Sequence, residues 1–357
     1  MKRLMRVFLA IIIVSAALLF AVNRLNSSQG YTSGNVLTVY NWGDYIDADL
    51  IDRFEKETGI KVIYETFDSN ESMMTKIQQG GTAYDIAVPS EYMIDKMKEE
   101  KLLLPVDHSK LPNLKYIDSR FMDLPFDPDN QYSIPYFWGT VGIVYNPKKL
   151  GGKEITSWND LWDEDLKNEI LLTDSAREVI GMGLNSLHYS LNDVNRDHLQ
   201  EAKQKLDALT PNVKAIVGDE NRMLLENGEA SIGLVWSGTA NEIMWENEDL
   251  EYVVPEEGSN LWFDNMVIPK TAKNIDAAHE FMNFMLDPEV AAQNTEYVSY
   301  STPNKEALKY MPEEIVNDTR FYPPPEMTER LEVYENLGQK NLAYYNELFL
   351  EFKMHSK

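Results

Sequence analysis

Cysteine is absent from this chain of 357 residues. Its absence excludes disulfide bonds, thiol catalysis, zinc-thiolate sites and attachment of a lipid to an N-terminal cysteine. Histidine is also scarce, because the five histidines are scattered and no pair has the spacing of a helical metal site. We therefore expect no transition-metal site. We also expect no cofactor.

Positive charge is in deficit. The 33 lysines and arginines are outnumbered by 58 aspartates and glutamates, which gives a formal net charge of -25. Such a field repels phosphate backbones and attracts cations, so it argues against a nucleic-acid partner and for a cationic ligand. Acidic surfaces also simply confer solubility, and this alternative explanation of the charge stays open.

A long apolar run occurs at the N-terminus. Basic residues precede a stretch from Val7 to Val22 that only Ser15 interrupts, which is the form of an export signal. The run is slightly short of the ~17 to 25 residues that span a bilayer, yet longer than the ~7 to 15 of a cleaved signal. We interpret residues 1–33 as a signal or anchor with a tether, and favour retention as an anchor. The body is then extracytoplasmic, at the outer face of the membrane or in the periplasm.

The chain is longer than the ~250 to 300 residues at which one hydrophobic core stops growing, so two lobes are expected. The first part alternates short apolar strands with amphipathic helices, which indicates a mixed or parallel sheet with helices on both faces. The predicted elements are strands Val36–Tyr40, Lys61–Phe67 and Tyr84–Val88 and helices Asp49–Thr58, Asn70–Gly80 and Tyr92–Leu104.

The second part is predicted to leave and re-enter the first lobe. Long β-branched and aromatic stretches at Ile134–Tyr145 and Asn260–Ile268 could each cross between lobes. Between and after them we predict strands at Ile170–Thr173, Ala230–Val235 and Glu251–Val254, and helices at Ser157–Lys167, Ala176–His188, Leu199–Leu209, Arg222–Asn227, Ala277–Leu286 and Thr328–Phe352.

Four short strings place a tryptophan or tyrosine within a few residues of a carboxylate, amide or hydroxyl. They are Asn41–Tyr45, Ser90–Tyr92, Trp236–Gly238 and Trp262–Asp264, and a fifth string, Asp174–Glu178, adds acids without a ring. Aromatic faces attract an organic cation and shield its carbon chain, while carboxylates accept hydrogen bonds from its ammonium groups. Taken alone, any one string is explained better by core packing or helix capping.

The strings Val39–Ile46, Phe54–Val62 and Tyr84–Ser90 closely resemble spermidine/putrescine-binding proteins of bacterial ABC uptake systems. The same is true of Tyr132–Tyr136, Thr156–Trp162, Leu171–Asp174 and Tyr300–Asn304, so that the resemblance extends from Leu37 to the C-terminus. It implies an α/β, two-lobed, type II periplasmic-binding-protein-like fold, with mixed sheets flanked by helices and a ligand cleft between the lobes. By this interpretation residues 34–140 and 263–308 form lobe 1, and residues 141–262 and 309–357 form lobe 2.

The resemblance also implies a function without catalysis. The chain would be the substrate-binding component of an importer, capturing spermidine or putrescine and delivering it to permease subunits in the membrane. The family's aromatic box falls on Trp42, Tyr45, Tyr92, Trp236, Trp262 and Tyr300, its cation-binding carboxylates on Glu178 and Asp264 with Asp44 as a further acid, and a polar contact on Ser90.

Two positions depart from the family pattern. Ser175 stands where a second aspartate is common, and Tyr334 stands where a glutamine usually reaches the ligand's terminal amine. The preference between a triamine and a diamine therefore stays open. Two other functions are also considered, namely a binding protein for another small organic solute on the same fold and, as a weaker alternative, a glycoside-processing enzyme.

Overall fold

A computed structural model of the protein describes residues 35–218 and 220–355, together with residues 14, 15 and 18. The predicted signal or anchor, residues 1–33, lies outside the described residues apart from those three positions. Among the helices that the structure does describe, none combines the length and the apolar character needed to cross a bilayer.

The centre of the molecule is a mixed β-sheet. Its strands are β1 Val36–Trp42, β2 Lys61–Phe67, β3 Ile86–Ala87, β4 Leu103–Leu104, β5 Ser133–Tyr145, β6 Ile170–Thr173, β7 Val213–Val217, β8 Ile232–Trp236, β9 Glu251–Val253 and β10 Leu261–Pro269. Their order is β2-β1-β3-β10-β5-β8-β6-β7, with β4 paired to β10 and β9 paired to β5. Pairing is parallel at β1–β2, β1–β3, β6–β7 and β6–β8, and antiparallel along β5 and β10.

Helices flank this sheet. They are α1 Ala48–Thr58, α2 Asn70–Gln79, α3 Glu91–Glu99, α4 Ala176–Asn185, α5 Arg196–Leu209, α6 Glu220–Glu226, α7 Ser237–Glu246, α8 Ile275–Met285, α9 Pro288–Val298, α10 Glu313–Val316, α11 Pro325–Thr328 and α12 Gly338–His355. Local chemistry sets their ends. The Asp47 side chain accepts a hydrogen bond from the Asp49 amide at the start of α1, and Gly59 ends that helix in the left-handed conformation.

Two long strands connect the two halves of the sheet. Residues Leu261–Val267 of β10 pair with the first half of β5, where a register shift between Asp264 and Asn265 marks a β-bulge. Beyond Thr140, β5 continues and pairs with β8 and β9. The two stretches predicted to cross between lobes, Ile134–Tyr145 and Asn260–Ile268, therefore form the long strands β5 and β10.

Several predicted elements need correction. Residues 157–167 form two 3-10 turns, Trp158–Trp162 and Glu164–Leu166, because extended Asp163 interrupts the helix between them. Helix α3 ends at Glu99 rather than Leu104, because Lys101 turns into the left-handed region and Leu103–Leu104 pairs with β10. The last helix begins at Gly338, ten residues after the predicted start.

Two tryptophans outside the predicted site pack in the core. Trp138 and Trp158 are each 2% exposed, and their ring nitrogens donate to the carbonyls of Thr302 and Gly258. Trp245, by contrast, lies on the surface of α7 with 64% of its area exposed.

Candidate functional site

The Asp264 carboxylate is the centre of a hydrogen-bonded group on β10. It accepts a hydrogen bond from the Tyr45 hydroxyl at 2.6 Å and another from the Ser90 hydroxyl at 2.7 Å. Ser90 also forms an antiparallel β-bridge with Asp264, which holds the two backbones side by side. Tyr45 follows β1 and Ser90 follows β3, so the residues meet at the carboxyl ends of adjacent parallel strands, where ligands of α/β sheets bind.

Burial strongly affects this carboxylate. Asp264 is 6% exposed, and loss of solvation raises its pKa to about 6, against the lowering effect of the hydrogen bonds from Tyr45 and Ser90. A cation placed beside the group would favour the ionised form and lower the pKa again. The site can therefore accept positive charge that water does not screen.

Aromatic rings surround the same carboxylate. The Tyr300 ring lies edge-on to Trp262, with ring centroids 5.0 Å apart, and its centroid is 5.7 Å from that of Tyr45. Two glycines allow the rings to approach the backbone. A Cβ atom at Gly238 would lie 2.4 Å from the Tyr300 ring, and one at Gly139 would lie 2.5 Å from the Trp262 ring.

Three further predicted rings lie at element ends and are half-buried. The Trp42 ring nitrogen, at the end of β1, donates to the Val88 carbonyl at 2.9 Å. The Tyr92 hydroxyl accepts from the Asn70 amide at 3.1 Å, and the same amide group donates to the Ser90 hydroxyl. Trp236 ends β8 and precedes the first residue of α7.

A second buried carboxyl lies in the first turn of α4. Glu178 is 8% exposed and accepts a hydrogen bond from the Tyr334 hydroxyl at 2.8 Å. Burial raises the pKa of Glu178 to about 7, although Tyr334, the Arg177 charge and the Asn260 side chain all oppose the rise. The Arg177 guanidinium lies 4.0 Å from the Tyr334 ring centroid. Tyr334, one of the two positions expected to depart from the family pattern, therefore contributes a hydroxyl that donates to the Glu178 carboxylate.

Two predicted residues are placed differently. Asp44 is exposed in a left-handed turn with a φ of 49°. Ser175 is half-buried before α4, and its hydroxyl makes no capping bond to the helix. Neighbouring Asp174 is exposed and forms an ion pair with Lys353 at 2.7 Å.

Sequence reasoning missed four buried polar residues beside the predicted ones, namely Asn70, Glu91, Arg177 and Asn260. Glu91 and Arg177 lie inside the strings noted from the sequence, so proximity to an aromatic or acidic residue was the available signal. A polar residue at the start of a predicted helix, such as Asn70, is usually explained as a helix cap. In the structure Ser69 caps α2, and the Asn70 amide instead donates to the hydroxyls of Ser90 and Tyr92.

Buried carboxylates and aromatic rings at the strand ends of an α/β sheet define a binding protein for a small solute. The sequence profile of the family described as bacterial extracellular solute-binding protein matches residues 49–323. The chain belongs to this family.

Named relatives and solved structures cover nearly the whole chain. It is 40% identical over 331 residues to the spermidine/putrescine-binding periplasmic protein of Salmonella typhimurium, which covers 92% of this chain and 95% of that protein. The structure of the spermidine/putrescine ABC transporter substrate-binding protein from Streptococcus pneumoniae is 55% identical, with a TM-score of 0.83, and the match covers 90% of this chain and 100% of that one. A structure from Listeria monocytogenes, provisionally described as a spermidine/putrescine ABC transporter, is 66% identical, with a TM-score of 0.86. The match covers 90% of this chain and 99% of that one. These matches confirm the two-lobed α/β fold predicted from the sequence.

Proposed function

We propose that this chain is the extracytoplasmic substrate-binding component of a polyamine ABC importer, with spermidine or putrescine as its ligand. The observation that carries the proposal is the buried Asp264 carboxylate, held by Tyr45 and Ser90 beside the Trp262 and Tyr300 rings. The names of relatives at 40% identity and of the Streptococcus pneumoniae structure support the same ligand class.

Asp264 and Glu178 divide the charge of the ligand between them. A buried ammonium without a partner is very costly, so each amine needs a carboxylate or hydroxyl inside the closed cleft. A charge-assisted hydrogen bond to each carboxylate contributes about 1.5 to 3 kcal/mol. Trp262 and Trp236 flank the carbon chain, and each aromatic contact with an ammonium adds about 0.5 to 2 kcal/mol.

The remaining predicted residues complete the proposed site at its edges. Trp42 and Tyr92 enclose the ligand on the first lobe, and Ser175 replaces an acid with a hydroxyl near Glu178. Asp44 lies at the mouth and attracts cations from solvent, since it is exposed. Their support is their position at strand and helix ends beside the buried core of the site.

The ligand cleft lies between lobes with the boundaries expected from the sequence. Lobe 1 comprises residues 34–140 and 263–308, and lobe 2 comprises residues 141–262 and 309–357. This division places the change of lobe on β5 and β10, where pairing passes from one half of the sheet to the other. A hydrogen bond of 3.1 Å from the Asn336 amide to the Glu99 carboxylate then joins the lobes outside the site. Closure around ligand presents a combined surface to the membrane permease.

Residues 1–33 retain the body at the outer face of the membrane. This part of the proposal rests on the basic and apolar pattern of the segment. Mass spectrometry of protein recovered from membranes tests it, because an anchor stays attached whereas a cleaved signal leaves a shorter chain.

Calorimetric titration of the full chain in detergent, refolded to remove carried-over amines, tests the ligand class. We expect binding heat with putrescine, spermidine or spermine and none with 1,4-butanediol, which has the carbon chain of putrescine without its charge. Absence of heat with all three amines would contradict the proposal, and heat with an amino acid instead would identify another solute. Turnover of an oligosaccharide would identify an enzyme.

A further inference from the structure

Glu91 is a fully buried carboxyl at the start of α3, directly between Ser90 and Tyr92. Its Oε2 atom accepts a hydrogen bond of 2.9 Å from the backbone amide of Phe263, which precedes Asp264 on β10. Its Oε1 atom is buried without a hydrogen-bond partner. The Oε2 atom therefore supports the strand that carries Asp264, whereas the Oε1 atom could accept a further hydrogen bond.

The groups that face Glu91 come from both halves of the proposed cleft. Asp264 on β10 raises its pKa, and the Arg177 guanidinium on α4 lowers it. The hydroxyls of Tyr92 and Tyr334 also interact electrostatically with it. Glu91 thus interacts electrostatically with Asp264 and with Tyr334, whose hydroxyl donates to Glu178, so it is coupled to both of the other buried acids of the proposed site.

Several buried polar atoms without a hydrogen-bond partner belong to residues of the proposed site or to their neighbours along the chain. Five of the twelve such buried side-chain atoms found among the described residues are Glu91 Oε1, Arg177 Nε, Asn260 Oδ1, Trp262 Nε1 and Asn265 Oδ1. Buried polar atoms in folded proteins nearly always have partners, and an exception calls for an explanation. A polar ligand that reaches these residues would supply the missing partners.

We propose that Glu91 is a third ligand-binding carboxylate of the polyamine site, with its Oε1 atom accepting a hydrogen bond from a ligand ammonium. The inference rests on the proposed function and adds a residue to it. Glu91 then supplies the charge that Ser175 does not. It also leaves its Oε2 bond to Phe263 intact, so the strand keeps its position when ligand binds.

A ligand ammonium beside Glu91 should change the protonation of that carboxyl. Burial raises the pKa of Glu91 to about 8, against the lowering effect of the backbone hydrogen bond from Phe263. An adjacent ammonium favours the ionised carboxylate. Ligand capture near pH 7.5 therefore releases a proton from Glu91.

Glu91→Gln separates the binding role from the structural one. Glutamine keeps a side-chain oxygen for the Phe263 amide but cannot ionise, so a purely structural role survives the change. We expect the full-length variant to bind spermidine at least tenfold more weakly than the unaltered chain. Proton release, measured by calorimetry at pH 7.5 in buffers of different ionisation enthalpy, should also fall. The companion variant Glu91→Ala loses both roles and should additionally melt at a lower temperature.

The outcomes distinguish this inference from the proposed function. No spermidine binding by the unaltered chain would refute the proposed function itself. Normal binding by that chain, with equal affinity and proton release in Glu91→Gln, would restrict Glu91 to supporting β10. If Glu91→Gln does not fold, carbon-13 NMR of the unaltered chain replaces it. We then expect spermidine to lower the pKa of the Glu91 carboxyl, and an unchanged titration would overturn the inference.

Discussion

The Asp264 carboxylate differs from the other acids near the site because its hydrogen bonds join three parts of the chain. The Tyr45 hydroxyl and the Ser90 hydroxyl both donate to it, and Ser90 is held in turn by the Asn70 amide. Asp174 has a different environment, since it is exposed and paired with Lys353. A cation gains more from the buried carboxylate, where water does not compete for its hydrogen bonds.

Asp264→Asn should therefore weaken polyamine binding much more than Asp174→Asn. Loss of one charge-assisted hydrogen bond costs about 1.5 to 3 kcal/mol, which raises the Kd on the order of 10- to 100-fold. Asp174→Asn removes only an exposed ion pair and should change the Kd less than about threefold. Calorimetric titration with spermidine measures both variants. Equal losses would mean that the carboxylates are assigned to the wrong roles.

At the scale of single residues, the sequence could predict the side chains whose residue type itself indicates their role. Tyr45, Ser90 and Asp264 were all predicted as neighbours in one site, and the structure places them in direct contact. Asn70 and Glu91 could not be predicted in the same way. Each is at a helix start, where a polar residue is explained by capping, and only the fold brings their side chains to Ser90 and Phe263.

The junction of β8 and α7 illustrates the constraints at the scale of elements. Trp236 is the last residue of β8, and α7 begins at Ser237 without a loop between them. Gly238 then lies against the Tyr300 ring, so close that any side chain would meet it. The junction therefore fixes the position of Tyr300 relative to Trp262 and Tyr45.

Gly238→Ala should displace the Tyr300 ring and weaken binding. Overpacking of this kind typically costs about 1 to 3 kcal/mol, which exceeds the gain of up to about 1 kcal/mol from alanine in a helix. Gly81→Ala is the matched control, because no atom lies within 4 Å of a Cβ at that position. Thermal melting and spermidine titration test both variants. A Gly238→Ala protein that binds and melts like the Gly81→Ala control would show that Tyr300 has room to move.

Elements with a clear hydrophobic period were predictable, whereas those set by tertiary contacts were not. The strands Lys61–Phe67 and Ile170–Thr173 match the prediction because β-branched and aromatic residues fill them. Helix α7 was not predicted, since serine, glycine and threonine at its start are weak helix formers. Packing against β5 and β8 stabilises it instead.

At the scale of the whole molecule, binding and folding make opposing demands on the site. Asp264, Glu178 and Glu91 are buried together with rings that would otherwise form ordinary core. Without a cation, each ionised carboxyl is costly to bury. The site therefore lowers the free energy of unfolding of the ligand-free protein. A bound dication offsets this cost, and ligand binding stabilises the folded chain by mass action as well.

This opposition predicts how stability depends on pH. Burial raises the pKa of Asp264, Glu178 and Glu91 to about 6, 7 and 8. An acid with a raised folded-state pKa binds more protons when folded, so acidification from pH 8.5 to 5.5 should stabilise the ligand-free chain. Acids with a lowered pKa, such as Asp163 and Glu257, lose their contribution only below the ordinary value of about 4 and do not act in this window.

We expect the melting temperature of the ligand-free full chain to rise by at least about 2 °C between pH 8.5 and 5.5. The rise should be smaller in Glu178→Gln, which cannot ionise at that position. Saturating spermidine should reverse the trend, because its ammonium groups need the ionised carboxylates that acid removes. Scanning calorimetry at matched ionic strength measures all three series. A ligand-free melting temperature that falls on acidification would mean that these carboxyls are already ionised and paired within the empty site.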